Sequence, residues 1–496
     1  MKITAAQNQN QRKIADYLII PFIEEKKKPK PLCAIGKFSN IIKGPIQSKD
    51  FEGKESQISV VYGAKEKRVI LLGLGKPDKI DEFHISLIYS EVVAFLKKRK
   101  AKTVNIIVPE KLNISKEDLL KGIAEALFLT NYGFDKFKHS TKNEVASYLK
   151  SACLIGVEKK ELALVHKGKI IADGVNLTRD LVNNNADDET PQNLAKIAKS
   201  FEKISKKVKV IIFDKKKIEQ EKMGLLLAVN KGSDKDPAFI IVHYHGDLDS
   251  EDHSVIIGKG ITYDSGGLSL KPSTGMDTMK SDMSGGAAIL GTMYTIANLN
   301  LKVNVTALVP ATENSIGSKS YKPGDVYVGL GNKSVEVKNT DAEGRLILAD
   351  ALSYAVEKLK PNRIIDIASL TGACVVALGE DVAGLFSNNE KLAKDLIAAS
   401  NKTGDHLWRL PLYKDYKKQL KSDIADLKNI GNAREAGAIT AALFLEEFVE
   451  KVDWAHIDIG GPCFLSKPKG LHPTHATGVG VRLLTYFFEN LSIKPA

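Results

Sequence analysis

The chain has 496 residues, 43% of them apolar and 27% charged, with a formal net charge of +12. That composition is that of a soluble globular protein rather than a disordered or fibrous one, and the length points to two domains, since single cores stop growing near about 250 to 300 residues. No segment approaches the apolar length of a membrane span, and Cys33, Cys153, Cys374 and Cys463 show no Cys-x-x-Cys spacing, which argues against a disulfide framework or thiolate zinc site and fits a reducing cytoplasm.

The apolar patch Tyr17 to Ile23 is short, broken by Pro21 and followed by charged residues, so it does not read as a signal peptide. Gln57 to Tyr62 alternates like a strand, and Val69 to Leu74 is an apolar strand ending in the turn Gly73-Leu74-Gly75-Lys76-Pro77. A helix is predicted from Ile85 to Lys98, a strand from Val104 to Val108, and a helix from Lys116 to Thr130 behind the cap Ser115. Residues 1–150 thus form a smaller N-terminal α/β domain, with a linker helix region at 151–175 and a boundary between about Ser140 and Asp173.

Beyond it a helix runs through Asn176, Arg179 and Leu181, and Asn183 to Pro191 is a loop. Leu194 to Ser205 reads as helix, Val208 to Phe213, Phe239 to His243 and Ser254 to Ile257 as strands, Gly286 to Ala297 as helix, and Val303 to Val309 as strand. Ala349 to Leu359 reads as helix and Arg363 to Ala368 as strand, so residues 176–496 are predicted to be a larger α/β domain with a central mixed sheet.

The net charge is uneven. Residues 1–150 hold 28 Lys plus Arg against 17 Asp plus Glu, or +11, whereas the remaining residues are nearly balanced. One reading is the footprint of DNA or another anionic surface. The other is a Lys-rich solvated face, favoured because only Arg12, Arg68 and Arg99 are arginines there and Arg does most specific phosphate work.

Chemistry concentrates in two stretches. Asn339 to Leu346 holds Asp341 and Glu343 two apart, which on an extended or looped backbone point the same way, with Arg345 continuing the row. The Gly-rich stretch Lys259 to Asp282 adds Lys259, Asp264, Lys271 and Asp282, just beyond a predicted strand, where α/β sheets collect ligands. Four carboxylates could bridge two divalent ions about 3.5 to 4 Å apart. The set is oxygen-rich with no nearby histidine, which suits Mn, Mg or zinc. A bridging water would be acidified, making a catalytic serine or cysteine unnecessary.

Asn339 to Leu346 resembles the signature octapeptide of the leucyl aminopeptidase family, and Gly258 to Gly267, Met279 to Met283, Glu313-Asn314, Leu370 to Ala373 and Trp454 to Asp458 are similar to it as well. The resemblance implies a two-metal aminopeptidase in which Lys259, Asp264, Asp282 and Glu343 hold the tighter Mn or Zn ion and Asp264, Asp341 and Glu343 the exchangeable one. Lys259 must then be neutral, while Lys271 stays charged and stabilises the developing oxyanion. Arg345 would hold a bicarbonate ion acting as general base. Only nine of the 72 basic residues are arginine, and a guanidinium grips such an anion through paired hydrogen bonds an ammonium cannot imitate.

The resemblance further implies peptide substrates with a free N-terminus, specificity from Met279 and the Ser369 to Gly372 turn, and a cytoplasmic homohexamer. Arg179, Arg434 and Arg482 are expected in interior or interface ion pairs, and Cys374 and His456 in structural positions. The loop Asn183 to Pro191 departs from the family pattern.

Overall fold

A computed structural model describes residues 1–63, 65–139 and 147–493. The chain divides into two compact units, Met1–Asp173 with Lys467–Pro473, and Gly174–Ser466 with Thr474–Ala496. The division falls within one long helix, Leu162–Asn183. Ser140, the start of the expected boundary stretch, lies outside the described residues.

In the first unit a seven-stranded sheet runs in the order Lys2–Ala6, Ser151–Ile155, Thr103–Ile107, Tyr17–Ile23, Arg68–Gly73 and Ile58–Tyr62, with Lys30–Pro31 beside Tyr17–Ile23. The helices Glu82–Lys98 and Lys116–Thr130 pack on each other. Asp81 and Ser115 cap them by accepting from the N–H of His84 and Asp118, satisfying donors that have no intrahelical partner.

Tyr17–Ile23 is a fully buried strand, although Pro21 speaks against one. Its pairing with Thr103–Ile107 ends at Ile19↔Ile106, so the proline lies past the end of that neighbour, where its missing N–H is tolerated.

The second unit is built on a nine-stranded mixed sheet. Its order is Leu407–Arg409, Ala383–Ser387, Asp453–Asp458, Arg363–Ala368, His253–Gly258, Asn304–Asn314, Ala238–His245 and Val208–Phe213, with Gly260–Asp264 added against Asn304–Asn314. The four strands from Asp453–Asp458 to Asn304–Asn314 are mutually parallel; antiparallel partners flank them. Burial on both faces explains why Val255–Ile257 is an unbroken apolar run and why Ile364–Ala368 is apolar but for the buried Asp366.

On one side Leu346 and Leu348 of the helix Gly344–Tyr354, with Phe444 of Gly437–Glu446, join Val255, Ile257, Ile364 and Trp454 in one core. The helix Ser284–Leu299 packs on His253–Gly258 and on the helix Val481–Ile493. The smaller N-terminal unit and the larger unit with its mixed sheet have the expected α/β class.

Two expectations are corrected here. The strand read as Val303 to Val309 continues to Asn314, because Pro310 falls between the last pair with one neighbour, Ile257↔Leu308, and the first with the next, Gly260↔Ala311. The helix expected from Ala349 begins at Gly344 and continues beyond Tyr354 as a wider turn, Ala355–Leu359. Arg345 is therefore helical and does not continue an extended row with Asp341 and Glu343.

Candidate metal centre

The parallel strands deliver the polar residues to a common end. Lys259 follows His253–Gly258, Asp264 ends Gly260–Asp264, Asn314 ends Asn304–Asn314, and Ser369 follows Arg363–Ala368. Asp282 closes the short turn Met279–Ser281, and Glu343 stands immediately before the helix Gly344–Tyr354. Gly266 and Gly267 have φ of +87° and +63°, a left-handed bend that glycine adopts without steric cost. Gly344 is needed for space instead, since a Cβ there would come within 2.6 Å of Lys259 Cε.

Lys259, Asp264, Asp282, Lys271, Asp341 and Glu343 converge. The Lys259 amine lies 2.7 Å from Asp282 and 2.8 Å from Glu343, and donates to the Ser369 carbonyl at 3.0 Å. Lys271 lies 2.8 Å from Asp264 and 2.5 Å from Asp341. Asp264, Asp341 and Glu343 can each present one oxygen so that the three lie within 4.8 Å of one another, a spacing that could hold a metal ion. Glu343 Oε2 has no hydrogen-bond partner among the described residues, and Asp282 Oδ2 and Asp341 Oδ1 meet the lysine amines without hydrogen-bond alignment. Buried oxygens of this kind call for a cation.

Burial, reinforced by Glu343, pushes the Asp264 carboxyl up to about 6. It likewise raises Asp282 and Asp341. Burial opposes ionisation of Glu343 too, but Lys259 and Lys271 outweigh it and hold Glu343 below the usual range. Both lysines are held above the ordinary amine value: burial works against their charge, and Asp282 chiefly for Lys259 and Asp264 chiefly for Lys271 overcome it. A neutral Lys259 therefore requires a dication to replace its proton.

Arg345 is buried at the first turn of its helix, donates from one terminal nitrogen to the Asn429 carbonyl at 2.7 Å, and has no partner on Nε among the described residues. Burial lowers its pKa to about 10. Met279 is half-buried and Ser369 donates to Asp282 at 2.8 Å. Arg179 donates to the Thr477 carbonyl and Asn176, while Arg434 is exposed.

Several braces escaped the sequence reading. Asn314 donates to Asp264 at 2.8 Å and to the Thr340 carbonyl at 3.0 Å. Thr340 donates to the Gly266 carbonyl at 2.6 Å, and Asn429 holds the octapeptide by accepting from the N–H of Lys338 and donating to the Asn339 carbonyl. Asn314 and Thr340 sit inside the matched motifs, where a buried amide or hydroxyl beside carboxylates is a usable signal. Asn429 carries no local signal.

Fold and site together define an α/β protein with an oxygen-rich polar centre beyond the ends of parallel strands. The cytosol aminopeptidase family's catalytic-domain model matches residues 176–485 and its N-terminal-domain model residues 22–141. Similar curated proteins include a probable cytosol aminopeptidase of Protochlamydia amoebophila (strain UWE25), 46% identical over 497 residues, 99% of each chain. Another is that of Chlamydia abortus (strain DSM 27085 / S26/3), 48% identical over 488 residues, 97% of each. Among solved structures, the bottromycin maturation enzyme BotP matches with a TM-score of 0.85 at 28% identity, covering 97% of this chain and 100% of that one. BotP in complex with Mn matches equally well, covering 96% and 100%. The chain belongs to the cytosol aminopeptidase family. Membership makes it an aminopeptidase, a metal-dependent hydrolase.

Proposed function

We propose that the protein removes N-terminal residues, leucine and other apolar ones among them, from peptides with a free amino terminus, using two divalent ions, Mn or Zn. The observation that carries this reading is the convergence of carboxylate oxygens of Asp264, Asp341 and Glu343 within 4.8 Å of one another, with the Lys259 amine in contact with both Glu343 and Asp282. Lys259, Asp264, Asp282 and Glu343 would hold the tighter ion, and Asp264, Asp341 and Glu343 the exchangeable one. Bound, the pair supplies Lewis acidity and an acidified water.

The chain's own groups have distinct tasks. Lys271, kept charged by Asp264 and Asp341, donates to the scissile carbonyl oxygen as negative charge develops there. Arg345 has donors left over from Asn429 for a bicarbonate ion, the general base of this reading. A metal ion held by these carboxylates would favour a substrate with a free terminal amine to coordinate, which an internal peptide cannot offer. Cytoplasmic residence and a homohexamer complete the proposal.

Purified protein supplied with Mn or Zn is expected to hydrolyse a leucyl amide and to spare the same compound with an acetylated amine. Asp341→Ala should lower kcat/KM by on the order of a hundredfold or more. Cleavage of the acetylated compound at a comparable rate, or full activity in the variant, contradicts the assignment.

A further inference from the structure

Ser369, expected to serve specificity, is committed to two of the candidate ligands. Its carbonyl accepts from the Lys259 amine at 3.0 Å, and its hydroxyl donates to Asp282 Oδ1 at 2.8 Å. The other oxygen, Asp282 Oδ2, stands 2.7 Å from the same amine and has no hydrogen-bond partner among the described residues. Lys259 and Asp282 are buried, so protein contacts rather than solvent set the orientation of each.

Ser369 opens a turn that is pinned from the neighbouring strand. Asp458 ends the strand Asp453–Asp458, is fully buried, and is the cross-strand partner of Ala368. Its Oδ1 accepts from the N–H groups of Leu370 at 3.1 Å, Thr371 at 3.4 Å and Gly460 at 3.1 Å. Its Oδ2 accepts from the Thr371 hydroxyl at 2.7 Å, and that hydroxyl accepts from the Cys374 N–H at 3.0 Å, capping the helix Gly372–Leu378. Hydrogen bonds to a carboxylate are about twice as strong as neutral ones, so the turn cannot shift relative to Lys259 without breaking strong contacts.

An amine that ligates a metal through its lone pair keeps hydrogens that need acceptors, and a carboxylate that ligates through one oxygen has a second to satisfy. Ser369 answers both needs: its carbonyl takes an amine hydrogen, which aims the lone pair, and its hydroxyl occupies Oδ1, which leaves Oδ2 for the ion. Partners that hold a ligand from outside in this way fix its direction and tune the metal. We propose that Ser369, held in place by Asp458, is a positioning residue for Lys259 and Asp282, and so sets how firmly the tighter divalent ion is held. The inference rests on the ligand set proposed for that ion.

Calorimetric titration of the metal-free, full-length protein with Mn tests it without activity, reading the tighter and the exchangeable step separately. Ser369→Ala, which keeps the carbonyl and removes the hydroxyl, should weaken the tighter step by about ten- to a hundredfold and leave the exchangeable one close to the parent. Ser369→Thr should restore it. Asp458→Asn should weaken the same step, and adding Ser369→Ala to it should cost less than Ser369→Ala costs alone, because residues that act through one contact do not add. Parent-like Mn binding in Ser369→Ala, or loss at the exchangeable step only, overturns the proposal, and an additive double variant refutes the link through Asp458. If Asp458→Asn does not fold, the two Ser369 variants decide.

Hydrolysis of a leucyl amide gives a second readout. At limiting Mn, Ser369→Ala should lose kcat at nearly constant KM, and saturating Mn should recover it. A raised KM that added Mn does not correct would make Ser369 a pocket residue and refute the idea. If the parent hydrolyses no amide, the proposed reaction fails while the Mn titration still judges this inference; if the parent takes up no Mn, the ligand set fails and this inference with it.

Discussion

At the scale of the residue, the centre depends on side chains whose charge states oppose one another. Asp264 and Glu343 are both buried carboxylates, yet burial dominates at one and the two lysines at the other. What keeps Asp264 in place is Asn314, whose amide bridges its carboxylate and the Thr340 carbonyl. Replacing Asn314 by Ala should cost about 1 to 3 kcal/mol of stability by leaving those groups short of a donor. It should also weaken Mn binding by roughly ten- to a hundredfold, as loss of a ligand's support does. Denaturant melts and calorimetric titration with Mn check both; unchanged Mn affinity would reduce Asn314 to a structural brace. The candidate ligands were legible because acids two apart and a glycine-rich run are local signals. Asn429 was not, since its contribution is a contact to residues about ninety positions earlier that no spacing rule reaches.

At the scale of the element, the strand Ala238–His245 carries His243 against Thr306 of its antiparallel neighbour. His243 Nδ1 and His253 Nε2 both lie 2.9 Å from the Thr306 hydroxyl. Burial, with repulsion from His245 and His253, lowers the His243 pKa to about 4, and burial lowers that of His253 as well. A histidine depressed in the folded state contributes stability that is present above its unfolded value of 6.5 and lost as the pH falls through about 4. His243→Gln should therefore flatten the fall in melting temperature across that window by about a few degrees. Parallel melting curves of parent and variant between pH 7 and pH 4 would show that the histidine is not the group responsible. The long strand Asn304–Asn314 also shows why element ends misled the sequence reading: Pro310 is a breaker in most strands, but here it sits where one neighbour has ended and the next is beginning.

At the scale of the whole molecule, no helix among the described residues is long and apolar enough to cross a membrane. The imbalance of charge leaves DNA binding as a second activity to test for the basic first 150 residues. Binding of that kind would weaken steeply with added salt. Retention of duplex DNA no greater than that of an unrelated protein of similar charge, at moderate salt, would leave the lysines as a solvated surface. The sequence by itself determined the α/β class and the family, and singled out an oxygen-rich candidate donor set, because periodicity, glycine runs and motif residues are written locally along the chain. Only the tertiary structure decided that Lys259, Asp282 and Glu343 meet, that the helix starts at Gly344 and takes Arg345 out of the carboxylate row, and that His456 stands beside Asp366, 90 residues away. The physical reason is that parallel strands bring distant segments into register, and the burial this imposes sets which charges must be balanced and by what.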